Sequence, residues 1–439
     1  MSKSELHEQL TRRLRAAQTE QRLPSAAASV FRRGDVLWQD AVGHADVEAG
    51  RDTSPDTQYR IGSITKTFTA VLVLQLRDAG DLSLDDPLTA HVPEAAHAPT
   101  LGRLLSHVSG LQREPPGEIW ESLRAPSREE LVAGTAAAEQ LLAAGSWWHY
   151  SNLAYALLGE VVARCTGGTW EDALRERLLE PLGLTRTSVD VAEPAARGYF
   201  VEPYSDAVRR EPDVDFGGSG ALGRLWSTVR DLAAWGAFLV TGADGVLADT
   251  TLDEMSHVRA MVDHDRWTLA WGSGLALYRS GDDVFVGHGG AMPGHLAGLV
   301  ANRRTGVGAA VLTNTSAGAR PEALALELAR AAIDLLPEET EPWLPGEPAP
   351  DEAAPLLGLW WSEGHKLVFA WRRGRLEARL LDGAPGRDVS SFERMAADLY
   401  RCVEGRERGE LLRVVRDGDG SVRKLYFATY PLLREPSTF

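Results

Sequence analysis

The chain has 439 residues, 44% of them apolar, 25% charged and 7% aromatic, which excludes a disordered chain and leaves room for two or three domains with sizeable cores. Sixty-two acidic against 46 basic side chains give a net charge of −16. The average surface therefore repels phosphate backbones and anionic bilayers, and no nucleic-acid or membrane partner is expected. Two cysteines, Cys165 and Cys402, stand far apart without a CxxC or Cys/His cluster, so neither a disulfide framework nor a metal site is expected, and no cofactor is implied.

In chain order, the N-terminus places Leu6, Leu10 and Leu14 at helical spacing between charged residues and reads as a surface helix, not a secretion signal. No later stretch supplies about 18 consecutive apolar residues, so the chain reads as soluble and cytoplasmic. Residues 26–43, AAASVFRRGDVLWQDAVG, look strand-like, whereas Ile64 to Leu76 and Leu153 to Val162 follow a helical period. Residues 297–314 read as a hairpin turning at Arg304, Thr305 and Gly306. The pattern is α+β: an antiparallel sheet with helices. Pro337 to Pro355 holds six prolines and a run of acids and reads as a linker. It divides a domain at 1–336 from a second at 356–439. Residues 351–439 carry 15 Lys/Arg and 14 Asp/Glu, so the first 350 carry the net −17. In this tail, LGLWWSE, KLVFAWRRG, RLEARLLDG, LLRVVRDGDG and RKLYFATY read as short strands of a small antiparallel barrel or sandwich.

Three segments could carry chemistry. Ser63-Ile-Thr-Lys66 opens a helical stretch and puts an amine one turn from a hydroxyl, where an amine of lowered pKa can take the serine's proton. Such a pair alone is weak evidence: Ser421-Val-Arg-Lys424 repeats the spacing in the tail, where it reads as a solvated strand. Tyr150-Ser-Asn152 puts a phenol and an amide two residues apart, suited to relaying a proton and orienting a substrate carbonyl; taken alone it reads as a buried tyrosine with an Asn helix cap. His288-Gly289-Gly290 ends a strand-like run, where glycines allow a substrate backbone close approach.

The order S-x-x-K, Y-x-N, H-G-G resembles the serine β-lactamase and penicillin-binding-protein superfamily, in its class C-like branch of esterases, D-aminopeptidases and penicillin-binding-protein-type thioesterases. Leu104-Leu-Ser-His-Val-Ser-Gly-Leu111 and the stretch from Gly220 to Leu232 are similar to two further motifs of that family. The resemblance spans residues 10–335. It departs at His288, where β-lactamases and transpeptidases carry the lysine of K-T-G; an imidazole lacks that permanent cation. No G-x-S-x-G elbow, H-E-x-x-H or Walker loop competes. His107 is expected to hold its turn, and His149 and His295 are candidates to line the cleft.

The resemblance implies a β-lactamase-like catalytic domain and acyl transfer through Ser63, with Lys66 and Tyr150 moving its proton. An oxyanion would sit between the N–H groups of Ser63 and Ala291, with Asn152 and His288 orienting substrate. Gly289, Gly290, Trp147 and Trp148 would border the substrate, and Arg434 could hold a substrate carboxylate. The tail resembles the lipocalin-like domain of penicillin-binding-protein-type thioesterases. That implies a trans-acting enzyme that releases and cyclises a nonribosomal peptidyl thioester with a D-residue at its acyl end, presented on a carrier protein. An esterase, D-aminopeptidase or β-lactamase using water, and a non-catalytic binding protein, are the alternatives.

Overall fold

The computed structural model describes residues 3–336, 342–383 and 389–436. Its contacts divide the chain into two units, Met1–Glu338 and Glu339–Phe439.

The first unit is built on an antiparallel sheet of nine strands: β1 (Ser25–Arg32), β2 (Asp35–Asp46), β3 (Arg51–Asp52), β4 (Ala260–Met261), β5 (Leu269–Trp271), β6 (Ala276–Ser280), β7 (Asp283–Met292), β8 (His295–Ala301) and β9 (Val307–Thr313). Their order across the sheet is β3-β2-β1-β9-β8-β7-β6-β5-β4. The 297–314 hairpin is β8 and β9, and Gly306 at its turn has φ +70°. The central strands are apolar on both faces because helices cover both. Helix α1 (Lys3–Glu20) buries Leu6, Leu10 and Leu14 on one face, together with Ala26, Ala28 and Val30 of β1 and the C-terminal helix Pro321–Leu335. Ala27 and Phe31, pointing the other way, join the larger core.

That larger core holds α2 (Thr65–Ala79), α3 (Asn152–Thr166) and α4 (Val229–Thr241). Eleven consecutive-turn residues of α2, from Thr65 to Leu74 and Leu76, are buried. A helix buried on nearly every side belongs to the interior of a core. Phe68 of α2 stacks on Trp235 of α4 at 3.7 Å between centroids, and Gly80, in the left-handed conformation at φ 83°, ends the helix.

The second unit is an eight-stranded antiparallel sheet in sequential order, running from Gly358–Ser362 to Tyr430–Leu432. Trp361 and Leu433 exchange backbone hydrogen bonds of 2.7 and 2.9 Å, so the first and last strands meet and the sheet closes. Trp360, Phe369, Phe392, Tyr400, Leu412 and Leu425 fill it. The sequence reading picked out five of these strands. Ser390–Ala396 and Leu399–Glu404 escaped it because Glu393, Arg394, Arg401 and Glu404 interrupt their apolar residues, and Tyr430–Leu432 because it is only three residues long.

Arg434 does not stand free in this unit. Its guanidinium lies 3.8 Å from the Trp360 ring centroid and donates to the carbonyls of Pro355, Leu357 and Leu359. Lys424 turns to the Tyr426 hydroxyl at 2.7 Å, as a structural residue of its strand. Of the linker, residues 337–341 lie outside the described residues, and 342–350 form no helix or strand. Among the described residues no helix is long and apolar enough to cross a membrane.

Leu10 is fully buried between α1 and the sheet. Leu10→Ala should lower unfolding stability by about 2–5 kcal/mol, read as a lower midpoint in a denaturant titration. A change within experimental error would show that α1 is not part of the core.

Candidate active site

The turn Gly62–Ile64 runs directly into α2, so Ser63 sits at the helix N-terminus and remains partly exposed while Gly62 and Ile64 on either side are buried. Two close backbone approaches hold it against β7. A Cβ on Gly62, at φ +49°, would meet the backbone nitrogen of Ala291 at 2.7 Å, and a Cβ on Gly290 would meet the Ile61 carbonyl oxygen at 2.0 Å. Only glycine allows this contact. Strand β6 pairs with residues 283–287 of β7 and no further, which leaves the His288–Met292 end to meet the serine turn. The serine turn and the Gly290–Ala291 segment of β7 are thereby brought into contact. Gly289 is packed on the Glu322 carboxylate, where a Cβ would lie 1.9 Å from its oxygen.

One turn along α2, Lys66 is wholly buried. Its Nζ lies 3.0 Å from Ser63 Oγ and 2.6 Å from the Leu222 carbonyl oxygen. Desolvation pushes its pKa well below the ordinary lysine value; Glu114 opposes this and Arg113 adds to it. A neutral amine beside a serine hydroxyl can accept its proton. The Gly220–Leu232 stretch supplies the clamp: Leu222 O holds Lys66, Ala221 O accepts from Thr69, and the Leu225 N–H donates to Thr65 Oγ1. Its Thr228 then caps α4 by accepting from the Asp231 N–H.

The Tyr150 ring lies 5.1 Å from Lys66 Nζ. Burial raises the phenol's pKa above its ordinary value, and a hydrogen bond with Ser63 opposes the rise. The rise favours the neutral phenol. Asn152 is the first residue of α3, whose cap is Ser151: its Oγ accepts from the Ala154 N–H. The Asn152 amide donates to both oxygens of Glu114, at 2.8 and 3.0 Å. Sequence reasoning gave that amide to a substrate carbonyl; in the structure its NH2 is already taken.

His288 is buried, and its pKa falls to about 3 through desolvation and the nearby Lys66. Its Nδ1 faces the carbonyl of Gly289, which can only accept, so Nδ1 carries the proton and Nε2 presents a lone pair. The ring stands edge-on to Trp271 at 5.1 Å and 6.2 Å from the Tyr150 ring. Trp271 also contacts Trp148 and His107, so Trp148, Tyr150, His107, Trp271 and His288 form one aromatic cluster beside Lys66. Trp148 belongs to this cluster; Trp147 is exposed and contacts His264.

His107 holds its turn, with φ +56°: its carbonyl accepts from the His149 N–H and its Nδ1 from the Ser151 N–H. His149 bonds the Leu111 carbonyl. His295 is buried edge-on to Tyr59 and Trp226, in the core and away from the cluster. Glu114, Arg113, Trp271 and the Leu222 carbonyl went unmarked in the sequence. Glu114 and Arg113 follow the Leu104–Leu111 motif within three residues, which is the one signal that could have found them.

A family model described as Beta-lactamase matches residues 10–333, and one described as a domain of unknown function, DUF7586, matches 349–434. The chain belongs to the beta-lactamase family, in its serine acyl-enzyme hydrolase type. It is 32% identical over 385 residues to Penicillin-binding protein 4 of Amycolatopsis lactamdurans, covering 82% of this chain and 98% of that one. Among solved structures it is similar to a D-stereospecific amidohydrolase from Streptomyces sp. (27% identity, TM-score 0.64, 74% of this chain and 98% of that one). It is also similar to SurE with D-Leu (26% identity, TM-score 0.63), across 98% of this chain and all of that one.

The Gly290 contact gives a test of the geometry. Gly290→Ala drives a methyl into the Ile61 carbonyl and displaces the serine turn, so kcat/KM should fall at least ~100-fold, the scale of an ångström's misplacement. Rates equal to wild type would show that the approach of β7 does not position Ser63.

Proposed function

We propose that Ser63 is the acyl-accepting nucleophile and that the protein is a trans-acting thioesterase, which releases and macrocyclises a peptidyl thioester with a D-residue at its acyl end. The observation that carries the covalent step is the 3.0 Å contact between Ser63 Oγ and a buried Lys66. Serine oxygen attacks the thioester carbonyl carbon while Lys66 and Tyr150 together take its proton; the tetrahedral oxyanion rests on the Ser63 and Ala291 N–H groups. The C–S bond then breaks, and the relay returns the proton to the departing thiolate of the carrier. In the second half the peptide's own amine attacks the ester, its proton passes back through Tyr150 and Lys66, and Ser63 is regenerated. A neutral His288 fits a substrate without a carboxylate to be neutralised at that position.

A D-residue at the acyl end is supported by the full-length similarity to SurE with D-Leu, which takes in the β-domain as well. The second reading, water as acceptor, is supported by the Streptomyces amidohydrolase, whose match covers 74% of this chain. A cytoplasmic location fits a substrate made on carrier proteins. Arg434 is occupied by carbonyls of its own domain, so we assign it to the stability of that domain and not to substrate.

Three outcomes follow. Ser63→Ala should abolish turnover, and intact-mass spectrometry with a slow peptidyl thioester should show one acyl adduct on the wild type and none on the variant. An adduct surviving on Ser63→Ala removes the serine assignment. Lys66→Ala and Tyr150→Phe should each slow acylation by about 10²- to 10⁴-fold, and the double variant should be little worse than the worse single one. Fully multiplicative losses would mean two independent groups, not a relay. Trp148→Ala opens the aromatic cluster to water and should shift product from cyclic to linear while acylation of Ser63 continues. Purely linear product from the wild type across several D-terminal peptidyl thioesters would leave a hydrolase.

A further inference from the structure

Glu322 lies in the first turn of the helix Pro321–Leu335, which is seated on the sheet through a pair of glycines. Gly289 of β7 stands directly opposite Gly298 of β8, and a Cβ on Gly298 would come within 2.6 Å of the Glu322 backbone nitrogen. The hole left by the two glycines brings the Glu322 carboxyl down onto Gly289. Gly290, the next residue, is the one that meets the Ile61 carbonyl leading into the serine turn. Consecutive Cα atoms are about 3.8 Å apart, so the carboxyl and the serine turn pack on adjacent residues of one strand, on its two faces. Between them runs the His288–Met292 edge, which β6 leaves unpaired. Ala291 on this edge is exposed, and Gly289 and Glu322 are half-buried, so a ligand can lie over it.

Among the described residues, the Glu322 carboxyl has no cation partner and no donor besides its own backbone N–H. An acid in the first turn of a helix is ordinarily favoured in its charged form by the N–H groups there. Here burial outweighs that contribution and raises the carboxyl's pKa. The titratable group facing it from β6 is Tyr278, whose pKa is raised above the ordinary phenol value by burial and by Glu322 itself, so it supplies no positive charge. Across the strand, burial likewise biases His288 toward its neutral form. A partly desolvated carboxylate without a counter-charge is costly, and a cationic group on a ligand would offset that cost.

We infer that Glu322 binds a free ammonium of the peptidyl substrate, over the open edge of β7 and one strand residue from the contact that positions Ser63. The ligand group is a primary amine, at the peptide's N-terminus or on one of its side chains. A peptide without that amine leaves the carboxylate unpaired, and a carboxylate brought to the same place is repelled by it. An amine gathered there is held near the acyl-enzyme it has to attack, which is the entropic advantage a ring closure needs. This rests on Ser63 being the nucleophile, and it adds a site for the acceptor that the nucleophile alone does not supply.

The test uses the full-length protein and two thioesters of one thiol, bearing the same short peptide with a D-residue at the acyl end. One keeps its N-terminal amine, and the other has hydrogen in its place. Thiol release gives kcat/KM for acylation by each, and the two are taken as a ratio. The wild type should prefer the amine by roughly tenfold or more, through KM, the scale of a hydrogen bond to a charged group. Glu322→Gln keeps the shape and removes the charge, so the ratio should fall to within about threefold of unity while the des-amino peptide reacts as with wild type. Raising the pH above the α-amine's ordinary pKa of about 8 discharges the ligand and should bring the wild-type ratio toward unity as well. A wild-type ratio near unity at neutral pH, or a preference that survives Glu322→Gln, overturns the inference. An equal loss with both peptides also overturns it, since Glu322 would then only pack the strand. Absence of acylation with both peptides contradicts the serine assignment instead, and the same ratio is then read from dissociation constants measured by calorimetry. If Glu322→Gln does not fold, the wild-type ratio and its pH dependence decide it.

Discussion

A lysine nitrogen held out of water, 3.0 Å from a serine hydroxyl, is the interaction around which the first domain is arranged. An ammonium with no carboxylate in contact costs too much to bury, so the group lowers its pKa and sheds its proton instead. That condition requires α2 to be covered on every side. The sheet, α3 and α4 close around it, and the Leu222 carbonyl meets the one N–H that would otherwise be lost in the core. The residue type matters as much as its place. Of the 46 basic residues four are lysines, Lys3, Lys66, Lys366 and Lys424, and an arginine at 66 would remain charged and could not act as a base.

The rest of the site depends on distances that side chains do not set. The serine turn meets β7 because Gly62 and Gly290 let two backbones touch. His288, where relatives of other specificity carry a lysine, is kept neutral chiefly by burial. Burial thus biases an amine, a phenol and an imidazole in the cleft toward their neutral forms, with the ion pair Arg113–Glu114 at the margin. Proton transfer between neutral groups of this kind needs no separation of charge in the ground state. It is also sensitive to water, which the aromatic cluster from Trp148 to Trp271 restricts.

Much of this was legible in the sequence, because helical spacing, paired glycines and turn residues carry local signals. Ser63 and Lys66 three apart, Tyr150 ahead of a capped helix, and the Gly306 hairpin all follow from such signals. What escaped the reading acts through the backbone or across long separations. The Leu222 carbonyl has no residue signature, Glu114 reaches Asn152 across 38 positions, and Trp271 enters the cluster from a three-residue strand. Arg434 was misplaced for a related reason: a terminal cation looks free in a sequence, and only closure of the barrel shows that three carbonyls and an indole hold it. His295 lies near the H-G-G motif in sequence, yet the β7–β8 turn carries it into the core.

With four lysines in the chain, the protonation of Lys66 can be followed directly by NMR of a sample labelled at the lysine side chains, titrated with pH. Assignment needs only the loss of one signal in Lys66→Ala. The account predicts that this signal titrates well below the ordinary lysine value of about 10.4, so that the amine is neutral and able to take the Ser63 proton near neutral pH. A Lys66 signal titrating with the other three at the ordinary value would contradict the account, for a permanently charged ammonium beside Ser63 could not serve as its base.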